Sequence, residues 1–128
     1  MTKRPRYLIL ETDRADAIVS VASRLLAWTA LEADTHLLVR LAATRWLLDP
    51  LPADPPSAAV LDWLARQEFD SVAAYWRMAL AATQTTLYVC SSSQPDTPVW
   101  AFETVEQCSL TRFLLDAEAE GAHTDWVV

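Results

Sequence analysis

Two cysteines, Cys90 and Cys108, have the clearest claim to chemistry in this chain. Cys90 closes the run Thr85-Thr86-Leu87-Tyr88-Val89-Cys90, and Ser91, Ser92 and Ser93 follow it. A thiol at a strand end, beside three small hydroxyls, can be held as the thiolate that attacks sulfur. The plainer alternative is a cysteine that only packs, because free cysteine is among the most buried residue types. The residues alone leave both open. Cys108 falls near the start of a predicted helix, where the N-terminal dipole favours a thiolate. Its place on the stripe of Val105, Leu110 and Phe113 argues instead for packing. A Cys90–Cys108 disulfide is not expected, since two cysteines without a recognisable leader suit a reducing compartment, the cytoplasm. There is no CxxC, so neither zinc nor thioredoxin-type exchange is supported.

Other candidates are weaker. Glu11 and Asp13 make an acidic pair at a strand end, as in magnesium-binding receiver domains, but no acidic residue ends the third predicted strand and no matching lysine exists. Asp13, with Thr12, is better explained as a helix cap. His36 and His123 have no metal-ligand partner at useful spacing. Ser91, Ser92 and Ser93 lack a nucleophile-elbow context, so a role supporting Cys90 suits them better than a catalytic one. The chain carries a single glycine, Gly121, where about nine are usual at this length. No glycine-rich phosphate cradle can be built, and no cofactor or metal is expected.

The 128 residues suffice for one domain, and 52% apolar with 21% charged residues can bury a proper core. A net charge of −7 repels phosphate backbones, so no nucleic-acid partner is expected. The basic cluster Lys3, Arg4, Arg6 is too small to reverse that. No apolar run approaches the ~20 residues of a bilayer span. The opening MTKRPRYLIL has no long apolar stretch and no small-residue cleavage site, so no signal peptide is expected. Six tryptophans are many for this size. Tryptophan favours interfaces, which points to a protein partner in a homo- or hetero-oligomer, with core packing as the alternative for any one of them.

The elements that must position these residues alternate. Tyr7–Leu10 reads as a strand buried on both faces. Ile18, Val19, Ala22, Leu25 and Leu26 recur at helical spacing up to about Asp34. His36–Leu41 reads as a second strand, and Ala42–Leu48 as a short helical segment. Four prolines in 50–56 make a loop. Ser57 caps a helical stretch over 58–83, one helix or two, with Asp70-Ser71 as a possible restart. Thr85–Cys90 is the third strand and Val99–Phe102 the fourth. Thr104 with Gln107 matches a capping box for a helix through Leu110, Phe113, Leu114 and Ala117. Gly121 suits a position of positive φ after that helix, and Asp125–Val128 is a last strand. The alternation predicts a single-domain α/β three-layer sandwich, flavodoxin-like, with a mostly parallel sheet of about five strands. In such sheets reactive groups gather beyond the carboxyl ends of the strands. Those ends here are Glu11–Asp13, Ala42–Thr44, Cys90–Ser93 and Glu103-Thr104.

The opening YLILETDRADAIVSVASRLLAWTALEADTHLLVRL, the short helix AATRWLLDP and the segment TTLYVCSSS resemble the DsrE/DsrF-like family of sulfur-relay proteins. The resemblance implies a small α/β fold that assembles into oligomers. It also implies sulfur accepted as a cysteine persulfide and passed to a partner protein. Only Cys90 matches such a position. Members without the cysteine serve as structural subunits, so the alternative is a non-catalytic interaction subunit without redox chemistry.

Overall fold

A computed structural model describes residues 4–128; Lys3 of the basic cluster and the first residues of the opening segment lie outside them. Five strands form one sheet: β1 (Arg4–Leu10), β2 (Ala33–Val39), β3 (Thr86–Cys90), β4 (Glu106–Cys108) and β5 (Thr124–Val127). Their order is β4-β3-β2-β1-β5, and every neighbouring pair is parallel. Four α-helices connect them: α1 (Ala15–Ala30), α2 (Ala58–Arg66), α3 (Val72–Thr83) and α4 (Leu110–Ala119), with a 3-10 helix at Leu41–Leu47. This is the expected three-layer sandwich. No helix among the described residues is long and apolar enough to cross a membrane.

Alternate strand residues face opposite ways. Leu8, Leu10, Leu37, Val39, Leu87 and Val89 face α1, α3 and the buried Leu64 of α2 in the main core. Tyr7, Ile9, Leu38 and Cys90 face Phe113 and Ala117 of α4 in a smaller core. Right-handed crossovers explain the division. The chain steps from β1 to β2 to β3 in one direction, which keeps the first helices on one face. From β4 it returns to the far edge, which puts α4 on the other.

Several elements differ from expectation. The fourth strand is Glu106–Cys108; Val99–Phe102 makes only one antiparallel bridge, Trp100 with Leu48. The residues of that segment are apolar because Trp100 and Phe102 cover the main core as the chain crosses from β3 to β4. The Thr104–Gln107 capping box is therefore absent, since Gln107 lies within β4. Ser109 caps α4 instead, accepting from Arg112 N at 3.1 Å. Residues 58–83 are two helices, and Ser71 caps the second. Thr12 and Asp13 do not cap α1; Thr12 Oγ1 accepts from Arg14 N, just ahead of the helix, at 3.2 Å. That helix stops at Ala30, before Asp34.

Most of the tryptophan surplus is spent on the main core. Trp46 and Trp76 are fully buried in it, and Trp28, Trp63 and Trp100 pack against it. Trp126 alone among the six is largely exposed, at 46%.

Gly121 has φ +69° and closes α4 as a Schellman motif. Its N–H donates to Glu118 O at 3.0 Å, and Ala122 N–H to Ala117 O at 2.9 Å. Helix α2 ends in the same motif without glycine. Glu68 has φ +66°, donates to Ala65 O at 3.0 Å, and is followed by Phe69 N–H donating to Leu64 O at 2.9 Å. An L side chain in this left-handed conformation costs about 1 kcal/mol. Glu68→Gly is therefore expected to raise stability by up to about 1 kcal/mol, after the added freedom of the unfolded chain is subtracted. Gly121→Ala should lower it by about as much, and by backbone strain alone, because a Cβ there would meet nothing within 4 Å. Urea midpoints of the two variants moving in the same direction would refute this account.

Candidate active site

The chain leaves β3 and β4 on opposite faces of the sheet. From β3, residues 91–105 cross the main-core face, where Trp100, Phe102 and Val105 pack. From β4 the chain turns directly into α4 on the other face. The carboxyl ends of two neighbouring strands with diverging exits are the general ligand position of open α/β sheets. Cys90 and Cys108 end these two strands and are register partners. The expected carboxyl-end segment Glu103-Thr104 lies instead ahead of β4.

Cys90 is 3% exposed. Its Sγ lies 3.2 Å from Ser92 Oγ. The backbone of Ser92, that of Leu110, the first residue of α4, and the Arg40 side chain also favour its thiolate. Burial pushes the Cys90 thiol up, but these groups outweigh it and leave the thiol below the ordinary cysteine range. The three serines divide their work. Ser92 touches the sulfur. Ser93 N–H donates to Cys90 O at 2.9 Å, and its hydroxyl accepts from Leu41 N at 2.9 Å, which fastens this turn to the segment after β2. Ser91 contributes through its backbone, donating to Cys108 O at 3.1 Å, while its side chain is exposed.

Arg40 is a site residue that sequence reasoning missed. Parallel pairing places Leu10 beside Val39, so the residues that follow, Glu11 and Arg40, are neighbours. Arg40 Nη1 pairs with Glu11 Oε2, and the side chains are only 19% and 15% exposed. The Arg40 backbone N–H donates to Leu10 O at 3.0 Å. Arg40 Nε is buried and has no partner among the described residues. Glu11 thus holds the arginine whose charge faces Cys90.

The remaining candidates are occupied elsewhere. Asp13 accepts from Arg45 Nη1 at 3.0 Å, and Arg45 also grips Asp54 with both terminal nitrogens, at 3.0 and 2.6 Å. Glu11 and Asp13 are each matched by an arginine rather than poised together. Among the described residues no group of three or more metal-ligating side chains gathers. His36 stacks on Tyr7 with ring centroids 4.4 Å apart, and its Nδ1 lies 3.1 Å from Tyr88 Oη. Burial, with help from Glu106, pushes the Tyr88 phenol up to about 12. Of the 42–44 segment, Ala43 and Thr44 are buried in the 3-10 helix. His123 lies in the turn between α4 and β5 and does not approach the cysteines.

Fold and site together define a doubly wound α/β protein with a hydrogen-bonded thiol at the carboxyl end of a strand whose neighbour exits to the opposite face. No family model matches the chain, and no curated protein matches it.

Proposed function

We propose that this chain is a sulfur carrier that holds sulfur as a persulfide on Cys90 and works with a protein partner in an oligomeric complex. The observation that carries the proposal is the Cys90 thiol at the end of β3, 3.2 Å from Ser92 Oγ and held below the ordinary cysteine range by Ser92, Arg40 and the start of α4. Such surroundings favour the thiolate, which is the attacking form. The Cys90 thiolate attacks the outer sulfur of a donor persulfide, and the donor leaves as its thiolate. An acceptor thiolate then attacks the outer sulfur on Cys90. Cys90 departs as the thiolate that the same groups stabilise, so it is a good leaving group. Cys90 is 3% exposed, so a local opening must bare it for sulfur to enter. Two free thiols suit a reducing compartment such as the cytoplasm.

Incubation with a persulfide donor should add one sulfur to the intact mass, and Cys90→Ser should take up none. A gain that survives the substitution, or a wild-type chain that never gains sulfur, overturns the proposal. The second reading, an interaction subunit without redox chemistry, draws on exposed apolar side chains such as Trp126 and Leu115. It is favoured if the unmodified wild-type chain and Cys90→Ser assemble equally with no sulfur on either.

A further inference from the structure

The two cysteines were expected to stay apart in function, Cys90 as the nucleophile and Cys108 as packing. The fold makes them neighbours. Cys90 and Cys108 are register partners on adjacent parallel strands, so their side chains leave the sheet on the same face. Both belong to the small core under α4, and both are free thiols. Strands in a sheet lie about 4.8 Å apart, which falls within the Cα separations that disulfides bridge. The partner that must adjust is the easier one to move, for β4 is a three-residue edge strand.

We infer that Cys108 is a resolving thiol, and that Cys90 and Cys108 form a dithiol–disulfide couple that exchanges with small disulfides. The Cys90 thiolate attacks one sulfur of a small disulfide, forms a mixed disulfide and releases the other half as a thiolate. Cys108, deprotonated as it attacks, then displaces the second half from Cys90. The products are the Cys90–Cys108 disulfide and two small thiols. The protein loses two protons and two electrons, and the small disulfide gains them. The order of attack follows from the surroundings of each sulfur. Cys90 has the surroundings described above. Burial raises the Cys108 thiol, Asp116 adds to the rise, and Cys108 Sγ donates to Ser109 O at 3.4 Å. Cys108 is thus the protonated partner at rest.

The test treats the full chain with oxidised glutathione and reads intact mass. Chymotryptic digestion then separates the cysteines at Trp100 and Phe102. Wild type should lose two hydrogens and link the two peptides. Cys108→Ser should stop at a glutathione adduct on Cys90, so wild type holds about tenfold less adduct or lower still. Circular dichroism of Cys108→Ser confirms the fold; Cys108→Ala serves if serine disturbs it. Wild type that accumulates as much adduct as Cys108→Ser, or that forms neither adduct nor disulfide, overturns the inference. Persulfide uptake by Cys108→Ser is measured separately. A disulfide that forms in a chain unable to take up sulfur would sink only the sulfur-carrier reading.

Discussion

Arg40→Met is expected to cost about 2 kcal/mol of stability and to raise the pH at which Cys90 ionises. The stability loss comes from Glu11. Its side chain is 15% exposed and pairs with Arg40, so the substitution strands a mostly buried charge. Arg40→Met with Glu11→Gln should therefore lose less than the sum of the two single changes. The ionisation shift comes from the thiol. Cys90 lies below the ordinary cysteine range, partly because Arg40 faces it. A depressed acid stabilises the folded state fully above its unfolded pKa, and that contribution fades as pH falls through the folded value. The thiol's share of the Arg40→Met penalty should accordingly grow as pH rises. In a Cys108→Ser background only one thiol titrates, and ultraviolet thiolate absorbance reads its midpoint. A midpoint unmoved by Arg40→Met would remove Arg40 from the site. Arg40→Lys should restore part of the shift, because it keeps the charge without the guanidinium fork.

Trp76→Ala should destabilise the fold by about 4 kcal/mol. The indole is fully buried in the main core. Its Nε1 donates to Trp46 O at 2.8 Å, and Trp46 Nε1 donates to Asp13 O at 3.0 Å. Truncation leaves a large cavity and an unpaired buried carbonyl. Trp76→Phe retains most of the volume but loses the hydrogen bond, so about 1–2 kcal/mol is expected. The indole chain runs from α3 through the 3-10 helix to the loop after β1, close behind Glu11. Trp76→Phe is thus expected to leave the Cys90 midpoint unchanged if only packing is lost. Urea unfolding measures both costs, and an alanine variant within about 1 kcal/mol of wild type would contradict the packing described.

Much of the fold was legible because parallel strands covered on both faces must be continuously apolar. Leu8–Leu10 and Leu37–Val39 show this, and the helical spacing between them supplied the crossover. β4 was hidden for the opposite reason. Glu106 and Gln107 are exposed on an edge strand, and three residues leave no pattern to detect. The apolar Val99–Phe102 drew attention away because a crossover that covers a core looks locally like a strand. At the site, Cys90 was legible as a thiol that ends a β-branched run. The groups around it were less so, since Arg40, Ser92 and Leu110 come from three separate segments. A clue did exist: strand β2 ends at Val39, and the next residue of a parallel pair must sit beside Glu11. Reading the strand on to Leu41 concealed it.

The short β4 also sets where this molecule opens first. A strand of three residues at a sheet edge, joined to β3 by an irregular crossover, forms a local unfolding unit of low free energy. The central pair β1–β2 stays closed until global unfolding. Amide exchange should therefore be fast at Cys108 and slow at Leu8 and Leu38. Each such opening bares the Cys90 thiol while the main core remains intact, so access to a nearly sealed sulfur becomes a property of one frayed seam rather than of a permanent channel.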